Sequence, residues 1–208
     1  MRKQMTPCYV FEEARLKQRL DFLKAMLPAQ VKLCYAVKAN PFIADWAGAQ
    51  AERVEVCSPG EVNICLKAGI APEKLVVSGV YKTPEYIDWL VRTHPDIGRY
   101  TVESMEQLAL LFKAGRDTGK RLPVLLRLTS GNQFGLDEAE LRSVIRDRDL
   151  YKEIDICGIQ YFSGTQKTSV KRLGRELRML EEFLSSLQDQ YGPIPELELG
   201  PGFPVSYF

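Results

Sequence analysis

The sequence predicts an α/β protein folded as a (β/α)8 barrel of the TIM type, of which about seven strands are present. Short apolar runs alternate with longer helical stretches along the chain, which indicates a parallel sheet covered by helices. Polar residues follow the predicted strands where each one ends, and a barrel brings such ends together on one face. An open dinucleotide-binding sheet is disfavoured because no G-x-G-x-x-G loop follows the first strand.

The elements follow in order from apolar runs and helix-start signals. Seven strands are predicted, at 31–37, 54–57, 75–78, 99–102, 123–129, 154–161 and 196–199. Helices are predicted between them because the capping residues Ser58, Ser104 and Asp137 precede amphipathic stretches. The first helix is placed at about 10–27 and the longest at about 168–190. With seven strands, an unpaired edge is expected between the first and the last, open to another segment or chain.

Composition limits the classes of function. With a formal net charge of +1 over 208 residues, there is no electrostatic case for a nucleic-acid or membrane partner. No apolar stretch reaches the length of a membrane span, and the N-terminus lacks the apolar region of a signal peptide. The five cysteines show no C-x-x-C spacing, which favours reduced thiols in the cytoplasm. Since His94 is the only histidine, neither a metal site nor Ser-His-Asp catalysis is expected.

A lysine ends the first predicted strand, in the stretch LCYAVKANP at 33–41. Lys38 follows an apolar run, and Asn40–Pro41 then stops the strand. One interpretation is that Lys38 closes the strand and extends its ammonium into solvent. The other is a lysine at the mouth of a pocket, whose amine forms a Schiff base with a carbonyl compound.

Glycines follow the last two predicted strands. Gly200, Pro201 and Gly202 come after the seventh strand, a place where barrel proteins commonly bind phosphate through backbone N–H groups. Gly164 and Thr165 follow the sixth strand and offer a second set of donors. Both stretches are also consistent with ordinary turns, the earlier one leading into the long helix with Thr165 or Thr168 as its cap.

Two charged residues interrupt apolar strands. Arg127 lies within LLRLT and needs an anionic partner, either a ligand group or a carboxylate such as Glu103 or Glu55. Glu55 lies within VEVC, where it could keep a nearby amine protonated, orient a bound aldehyde cofactor or form a structural ion pair. A lysine after the first strand and phosphate-binding glycines after the last two are together what pyridoxal 5'-phosphate (PLP) requires.

Six motifs follow one another in register: YAVKANP, VEVCSPGEV, SGVYKTPEYI, LLRLT with NQFGL, GIQYFSGTQ and LELGPGFPVSY. On these motifs, residues 8–208 resemble the fold-type III PLP-dependent decarboxylases, which act on ornithine, arginine and diaminopimelate. The resemblance implies that Lys38 is the catalytic residue that holds PLP. The PLP site is then expected to comprise Lys38, Glu55, Arg127, Phe162, Gly164, Thr165, Gly200 and Gly202.

The resemblance also implies that residues 1–208 form an N-terminal PLP-binding barrel domain, truncated before strand eight. In the family, an acidic residue on that strand and a β-rich second domain complete the site across a dimer. We therefore expect a homodimer or completion by a C-terminal segment, an amino-acid substrate with diaminopimelate favoured, and an inactive chain when it is alone.

The sequence departs from the family at two places. The family's ring-stacking histidine is replaced by Phe162, or by Gln160 if the loop is shifted, and Pro201 stands where the family has a glycine. A phenylalanine can stack on a ring but cannot form hydrogen bonds with it. These departures make a non-catalytic PLP-binding or interaction module one alternative to a decarboxylase. A racemase of the alanine racemase type is the other, because the resemblance extends to such racemases, which also place a lysine at the end of strand one.

Overall fold

The structure is a computed structural model that describes residues 7–8 and 10–206. Seven strands form one sheet: β1 (Cys34–Ala36), β2 (Arg53–Val56), β3 (Leu75–Val77), β4 (Arg99–Val102), β5 (Leu122–Leu128), β6 (Ile154–Phe162) and β7 (Glu196–Gly200). The α-helices of the described residues are α1 (Glu13–Met26), α2 (Ala44–Gln50), α3 (Pro59–Lys67), α4 (Pro84–Thr93), α5 (Met105–Thr118), α6 (Glu138–Arg146) and α7 (Val170–Tyr191).

Strands that are neighbours in the sheet are also neighbours in sequence. The order runs from β1 to β7, and every adjacent pair is parallel. Right-handed crossovers then all turn the same way, so the connecting helices cover one face and the strand order never reverses. This order excludes the doubly wound sheet and confirms the incomplete barrel that the sequence predicts.

Side chains alternate between the two faces of the sheet, as the pleat of a strand requires. The outer face packs against the helices and is apolar, as Val54 and Val56 of β2, Tyr100 of β4 and Leu126 of β5 show by their complete or nearly complete burial. The alternate positions, such as Glu55, face the inside of the barrel. The hydrophobic core therefore lies between sheet and helices, and the inner face is left for polar groups.

Contacts across the inner face show that the sheet curls. Glu196 at the start of β7 accepts hydrogen bonds from Arg53 of β2 at 3.1 Å and from Arg99 of β4 at 2.9 Å. Gln160 of β6 donates to the Ser78 hydroxyl, just after β3, at 3.2 Å. In a flat sheet, β2 and β7 would be roughly 24 Å apart, so the direct contact requires a strongly closed curvature.

The sheet has two edges in the described part of the chain. β1 pairs with β2 and β7 pairs with β6, and the two end strands do not pair with each other. Edge strands present unpaired N–H and C=O groups, which are available to another strand. The gap expected between the first and seventh strands is therefore present.

Contacts within the chain divide it into two compact units, one up to Leu33 and one from Cys34 onward. The first unit contains α1, where Leu16, Leu20 and Leu23 are partly buried and the residues between them are exposed. This is the helical stripe that the sequence predicts. The second unit contains the sheet and the other helices. The single domain over 1–208 stays a prediction.

Three general properties of the chain bear on the classes of function. All five cysteines are free thiols. Among the described residues, no helix combines the length and the apolar character that crossing a membrane requires. Within the same residues, no group of three or more histidine, cysteine, aspartate or glutamate side chains is arranged to hold a metal ion.

Candidate active site

Lys38 lies just beyond β1, in a 3-10 turn formed by Val37–Ala39, and so follows the first strand as the sequence predicts. The chain turns here because Asn40 caps the next turn with its side chain and accepts a hydrogen bond from the Tyr35 hydroxyl on its carbonyl, at 2.7 Å. Val37 is fully buried and anchors the turn, while the Lys38 side chain stays 60% exposed. The turn therefore presents the amine at the open carboxyl end of the barrel.

The Lys38 amine forms an ion pair with Glu55 of β2. Lys38 Nζ lies 3.2 Å from Glu55 Oε2 and 3.9 Å from the Sγ of Cys57. Burial lowers the pKa of the Lys38 amine, but the opposing effects of Glu55 and Cys57 outweigh it, and the net shift is upward. Of the roles considered for Glu55, the geometry supports the one in which it keeps a nearby amine protonated.

Arg127, on the inner face of β5, pairs with Glu103 and not with Glu55. Arg127 Nη1 lies 2.6 Å from Glu103 Oε2, and the guanidinium carbon lies 5.3 Å from the centre of the Phe134 ring. The Glu103 side chain is 2% exposed and that of Arg127 is 13% exposed, so the pair is largely removed from water. The anionic partner that the sequence requires for Arg127 is therefore a carboxylate of the chain itself.

Lys82 is a buried lysine that sequence reasoning did not assign to the site. Its ammonium donates to the Gly79 carbonyl at 2.5 Å and to the Thr101 hydroxyl at 3.3 Å, and it lies 4.0 Å from Glu103 Oε1. Burial lowers the pKa of Lys82 to about 8, against the raising effect of Glu103. The signal in the sequence was a lysine in the loop after the third strand, at the barrel end where the other polar residues gather.

Gly164 and Gly202 lie in the loops that follow β6 and β7, and the two loops touch. The Gly202 carbonyl accepts a hydrogen bond from the Lys167 N–H at 2.8 Å. A Cβ at Gly202 would lie 1.9 Å from the Gly164 carbonyl oxygen, and its φ of +65° also favours glycine. The two stretches predicted to bind phosphate are therefore held side by side, with no room for a side chain between them.

The loop after β6 is also held by its own side chains. Gln166 accepts a hydrogen bond from the Val205 N–H at 2.7 Å and donates to the Val205 carbonyl at 3.1 Å. Lys167, with a side chain 5% exposed, donates to the Ser163 hydroxyl at 2.6 Å and to Glu176 of α7 at 2.7 Å. Sequence reasoning missed both residues, because their partners are distant in the chain or belong to a turn.

Thr165 does not cap the long helix. The N-cap of α7 is Ser169, whose side chain accepts a hydrogen bond from the Arg172 N–H. The alternative in which Thr165 or Thr168 caps this helix is therefore wrong. Thr165 is exposed in the loop next to Gly164.

Phe162 ends β6 and lies against Gly200 of β7. A Cβ at Gly200 would come within 2.6 Å of Phe162 Cδ2, so the glycine makes room for the ring. Gln160, the alternative for this position, is buried deeper in the barrel and donates to Ser78 and Glu198. The structure therefore places Phe162, and not Gln160, at the carboxyl end of the strand.

Glu198 of β7 is a half-satisfied carboxyl group inside the barrel. Its Oε1 accepts a hydrogen bond from Gln160 at 2.6 Å, while its buried Oε2 has no hydrogen-bond partner among the described residues. Burial raises the pKa of Glu198 to about 7, although the Gln160 hydrogen bond opposes this shift. The buried Oε2 therefore favours the protonated form of this group more than an exposed glutamate would.

These features fit PLP on three counts. An aldehyde needs an accessible amine, and Lys38 provides one beside Glu55. A phosphate needs backbone N–H groups that it can approach closely, and Gly202 lies in a loop that excludes side chains at the contact. An aromatic ring needs a flat apolar surface, which Phe162 offers at the same end of the barrel.

A parallel barrel with an accessible lysine after its first strand and touching glycine loops after its sixth and seventh defines a barrel of the PLP-binding type. The chain belongs to the family of pyridoxal-dependent decarboxylases, because residues 13–208 match the family described as "Pyridoxal-dependent decarboxylase, pyridoxal binding domain". This match confirms the family resemblance and its cofactor, PLP, and it does not favour the racemase alternative.

Two curated relatives illustrate the similarity in sequence. The diaminopimelate decarboxylase of Zymomonas mobilis is 29% identical, with 97% of this chain and 52% of the relative covered. That of Aquifex aeolicus is 26% identical, with 97% and 51% covered. The chain therefore spans about half the length of the curated relatives that it matches.

Solved structures show the same fold. The diaminopimelate decarboxylase of Helicobacter pylori in complex with L-lysine aligns with a TM-score of 0.84 at 21% identity, covering 98% of this chain and 56% of that chain. The lysine/ornithine decarboxylase of Vibrio vulnificus in complex with putrescine aligns with a TM-score of 0.77 at 23% identity, covering 92% and 52%.

Proposed function

We propose that the chain is the PLP-binding part of an amino-acid decarboxylase, in which Lys38 supplies the amine that joins the cofactor aldehyde. The observation that carries this proposal is the Lys38–Glu55 pair, an accessible amine held 3.2 Å from a carboxylate at the barrel end that bears the glycine loops. A lysine that only closed a strand would need no carboxylate from the neighbouring strand.

Lys38 and Glu55 have different roles in the reaction of the amine. Glu55 holds the ammonium of Lys38 in one place, and its Oε2 is positioned to accept the proton that Lys38 must lose before the amine can react. The positive charge of Arg127 opposes protonation of Lys38 and so favours that loss. When bound, PLP supplies the electron sink for the electron pair that remains as the α-carboxylate leaves as CO2.

The other proposed residues bind and orient the cofactor. The N–H groups around Gly164, Thr165 and Gly202, with the Thr165 hydroxyl, would hold the phosphate. Gly200 gives the Phe162 ring the room to lie at the end of β6, where it would cover one face of the pyridine ring. Phe162 stacks without donating or accepting a hydrogen bond, so it leaves the charge of the ring to other groups.

We propose an amino acid as the substrate, with diaminopimelate as the first candidate. Support comes from curated relatives named diaminopimelate decarboxylase, of which this chain matches about half the length. The rest of the site would come from a C-terminal segment or from a second copy in a homodimer, for which the edges at β1 and β7 are available. The free thiols are consistent with a location in the cytoplasm.

A non-catalytic PLP-binding module is the second candidate. The observation that favours it is Phe162, which stands where the family has a histidine and cannot take part in proton transfer. The two candidates differ in turnover and not in PLP binding, since both retain Lys38 and the glycine loops.

The test is release of labelled CO2 from diaminopimelate, ornithine and arginine in the presence of PLP. The protein is tagged and isolated from its native cells with any chain that accompanies it, and it is compared with the Lys38→Arg variant. We expect the native assembly to release CO2 from one of the three amino acids and the Lys38→Arg variant to release none. The purified chain alone should release little. A native assembly that binds PLP but releases no CO2 from any of them would support the non-catalytic module.

A further inference from the structure

Three charged side chains, two of them buried and the third largely so, form a connected chain at the carboxyl ends of β3, β4 and β5. Lys82 donates to the Thr101 hydroxyl, Thr101 contacts Glu103 Oε1 at 3.2 Å, and Glu103 Oε2 accepts from Arg127. The side chains of Lys82 and Glu103 are 0% and 2% exposed. Burying an ammonium group costs free energy, so a buried lysine is expected to have a role that offsets this cost. The proposed mechanism gives Lys82 no such role.

Glu103 is the shared partner in this chain. Its carboxylate also accepts a hydrogen bond from the Gly79 N–H at 2.6 Å, so Oε1 is satisfied by the backbone, the Thr101 hydroxyl and the nearby ammonium of Lys82. One carboxylate thus stands between two cations. Arg127 therefore shares its carboxylate partner with Lys82. Burial, and after it the positive charge of Arg127, act to lower the pKa of the Lys38 amine.

We infer that Lys82 is a positioning residue of the lysine site: with Glu103 it fixes Arg127, and through Arg127 it sets the positive charge that Lys38 experiences. This inference rests on the proposed function of Lys38, but it concerns the apo protein and is measurable without PLP. If the ammonium of Lys82 were absent, Glu103 would neutralise Arg127 more completely. The Lys38 amine would then hold its proton to higher pH.

The backbone around Lys82 explains why the side chain stays in place. The Gly79 carbonyl accepts from Lys82 and also from the Gln107 side chain at 3.3 Å. The φ of Gly79 is +88°, and a Cβ there would lie 3.3 Å from Cβ of Cys57. Gly79 therefore allows the loop after β3 to fold back over the Glu103 carboxylate and present its N–H to it.

The experiment measures the titration of the Lys38 amine directly. Lysines are dimethylated with carbon-13-labelled formaldehyde, and the Lys38 resonance, assigned by its loss in Lys38→Arg, is followed by NMR against pH. Lys82→Met is compared with Lys82→Arg, which keeps the charge. Lys74→Met is the matched control, because Lys74 is a half-buried lysine that also donates to backbone carbonyls, those of Gly48 and Ala51, before β3.

We expect the Lys38 midpoint to move upward in Lys82→Met, to stay near the wild-type value in Lys82→Arg, and to stay unchanged in Lys74→Met. The same change should slow modification of Lys38 by a neutral aldehyde at neutral pH about two- to fivefold. An unchanged midpoint in folded Lys82→Met, or an equal shift in Lys74→Met, overturns the inference.

A second variant covers the case in which Lys82→Met does not fold. Thr101→Val keeps the shape of the side chain and removes the hydroxyl between Lys82 and Glu103. Glu103 should then interact more strongly with Arg127, and the midpoint of the Lys38 titration should again rise. No rise in Thr101→Val would also overturn the inference. Failure of the proposed function has a different signature, because it would leave these midpoints as expected while PLP forms no bond with Lys38.

Discussion

Lys38 Nζ lies 3.2 Å from Glu55 Oε2. Glu55 belongs to β2, and Lys38 lies in the turn after β1, the parallel neighbour of β2 whose last residue, Ala36, is aligned with Glu55. The lysine therefore reaches its partner from a turn two residues beyond the strand pair, which leaves the amine accessible. A lysine that only ended a strand would not need this carboxylate partner, so the contact distinguishes a reactive lysine from a structural one.

Glu55→Gln should lower the pKa of the Lys38 amine. Burial already acts in that direction, and Glu55 is the first of the groups that oppose it. We expect the rate of Lys38 modification by a neutral aldehyde at neutral pH to rise about threefold to tenfold. Glu138→Gln, an exposed carboxylate paired with Arg142 on α6, is the matched control. Equal rates in the two variants would contradict the assigned role of Glu55.

Gly202→Ala should weaken PLP binding without unfolding the barrel. The new methyl group would lie 1.9 Å from the Gly164 carbonyl oxygen, so the loops after β6 and β7 must separate. We expect at least about a tenfold higher Kd for PLP, equivalent to about 1.4 kcal/mol, measured by fluorescence titration. Gly192→Ala is the control, since Gly192 also has a positive φ of +84° but open space around it. Similar losses in both variants would argue against a phosphate site.

Phe162→Ala should also weaken PLP binding, because it removes the flat surface at the end of β6. We expect a loss of about 1 kcal/mol, in the range of a stacked aromatic pair. Phe162→His should keep the affinity and, in the complete enzyme, keep or raise turnover. The measurement is PLP affinity with CO2 release. Wild-type affinity in Phe162→Ala would show that the ring does not contact the cofactor.

Glu198 should make the fold less stable as the pH rises. Burial raises its pKa from 4.5 to about 7, so the folded state binds more protons than the unfolded state between these values. The stabilisation that the protonated Glu198 carboxyl contributes is fully present below the pKa of the group in the unfolded state, and it is lost as the pH rises through its folded-state pKa of about 7. Relative to wild type, the free energy of unfolding of Glu198→Gln should increase by about 3 kcal/mol between about pH 4 and about pH 8, measured by urea unfolding. A pH-independent difference would contradict this account.

Much of the fold could be predicted because its strands are short apolar runs. The strand predicted at 99–102 matches β4, and the later strands agree to within about one residue at each end. The first strand was predicted too long at its start, where residues 31–33 do not pair with a neighbouring strand, and at its end, where Val37 belongs to the 3-10 turn that precedes Asn40. Local hydrogen bonds set the end of this strand, and the pattern of apolar residues in the sequence carries no information about such bonds.

The site was predicted less completely than the fold. Lys38 and the glycine pair at Gly200 and Gly202 carry local signals, a charge after an apolar run and a Gly-Pro-Gly turn. The pairing of Arg127 with Glu103 and the burial of Lys82 arise only when three strand ends meet, so the sequence left the first open and missed the second. Contacts between residues 24 positions apart, such as Glu103 and Arg127, have no local signature.

The most direct test of the account is to add PLP to the purified protein, reduce with borohydride, and map the adduct by mass spectrometry. We expect an absorbance band that appears with PLP, and a single reduced adduct on Lys38 that is absent from Lys38→Ala. An adduct spread over surface lysines, or one that persists unchanged in Lys38→Ala, would contradict the assignment of Lys38 as the residue that holds PLP.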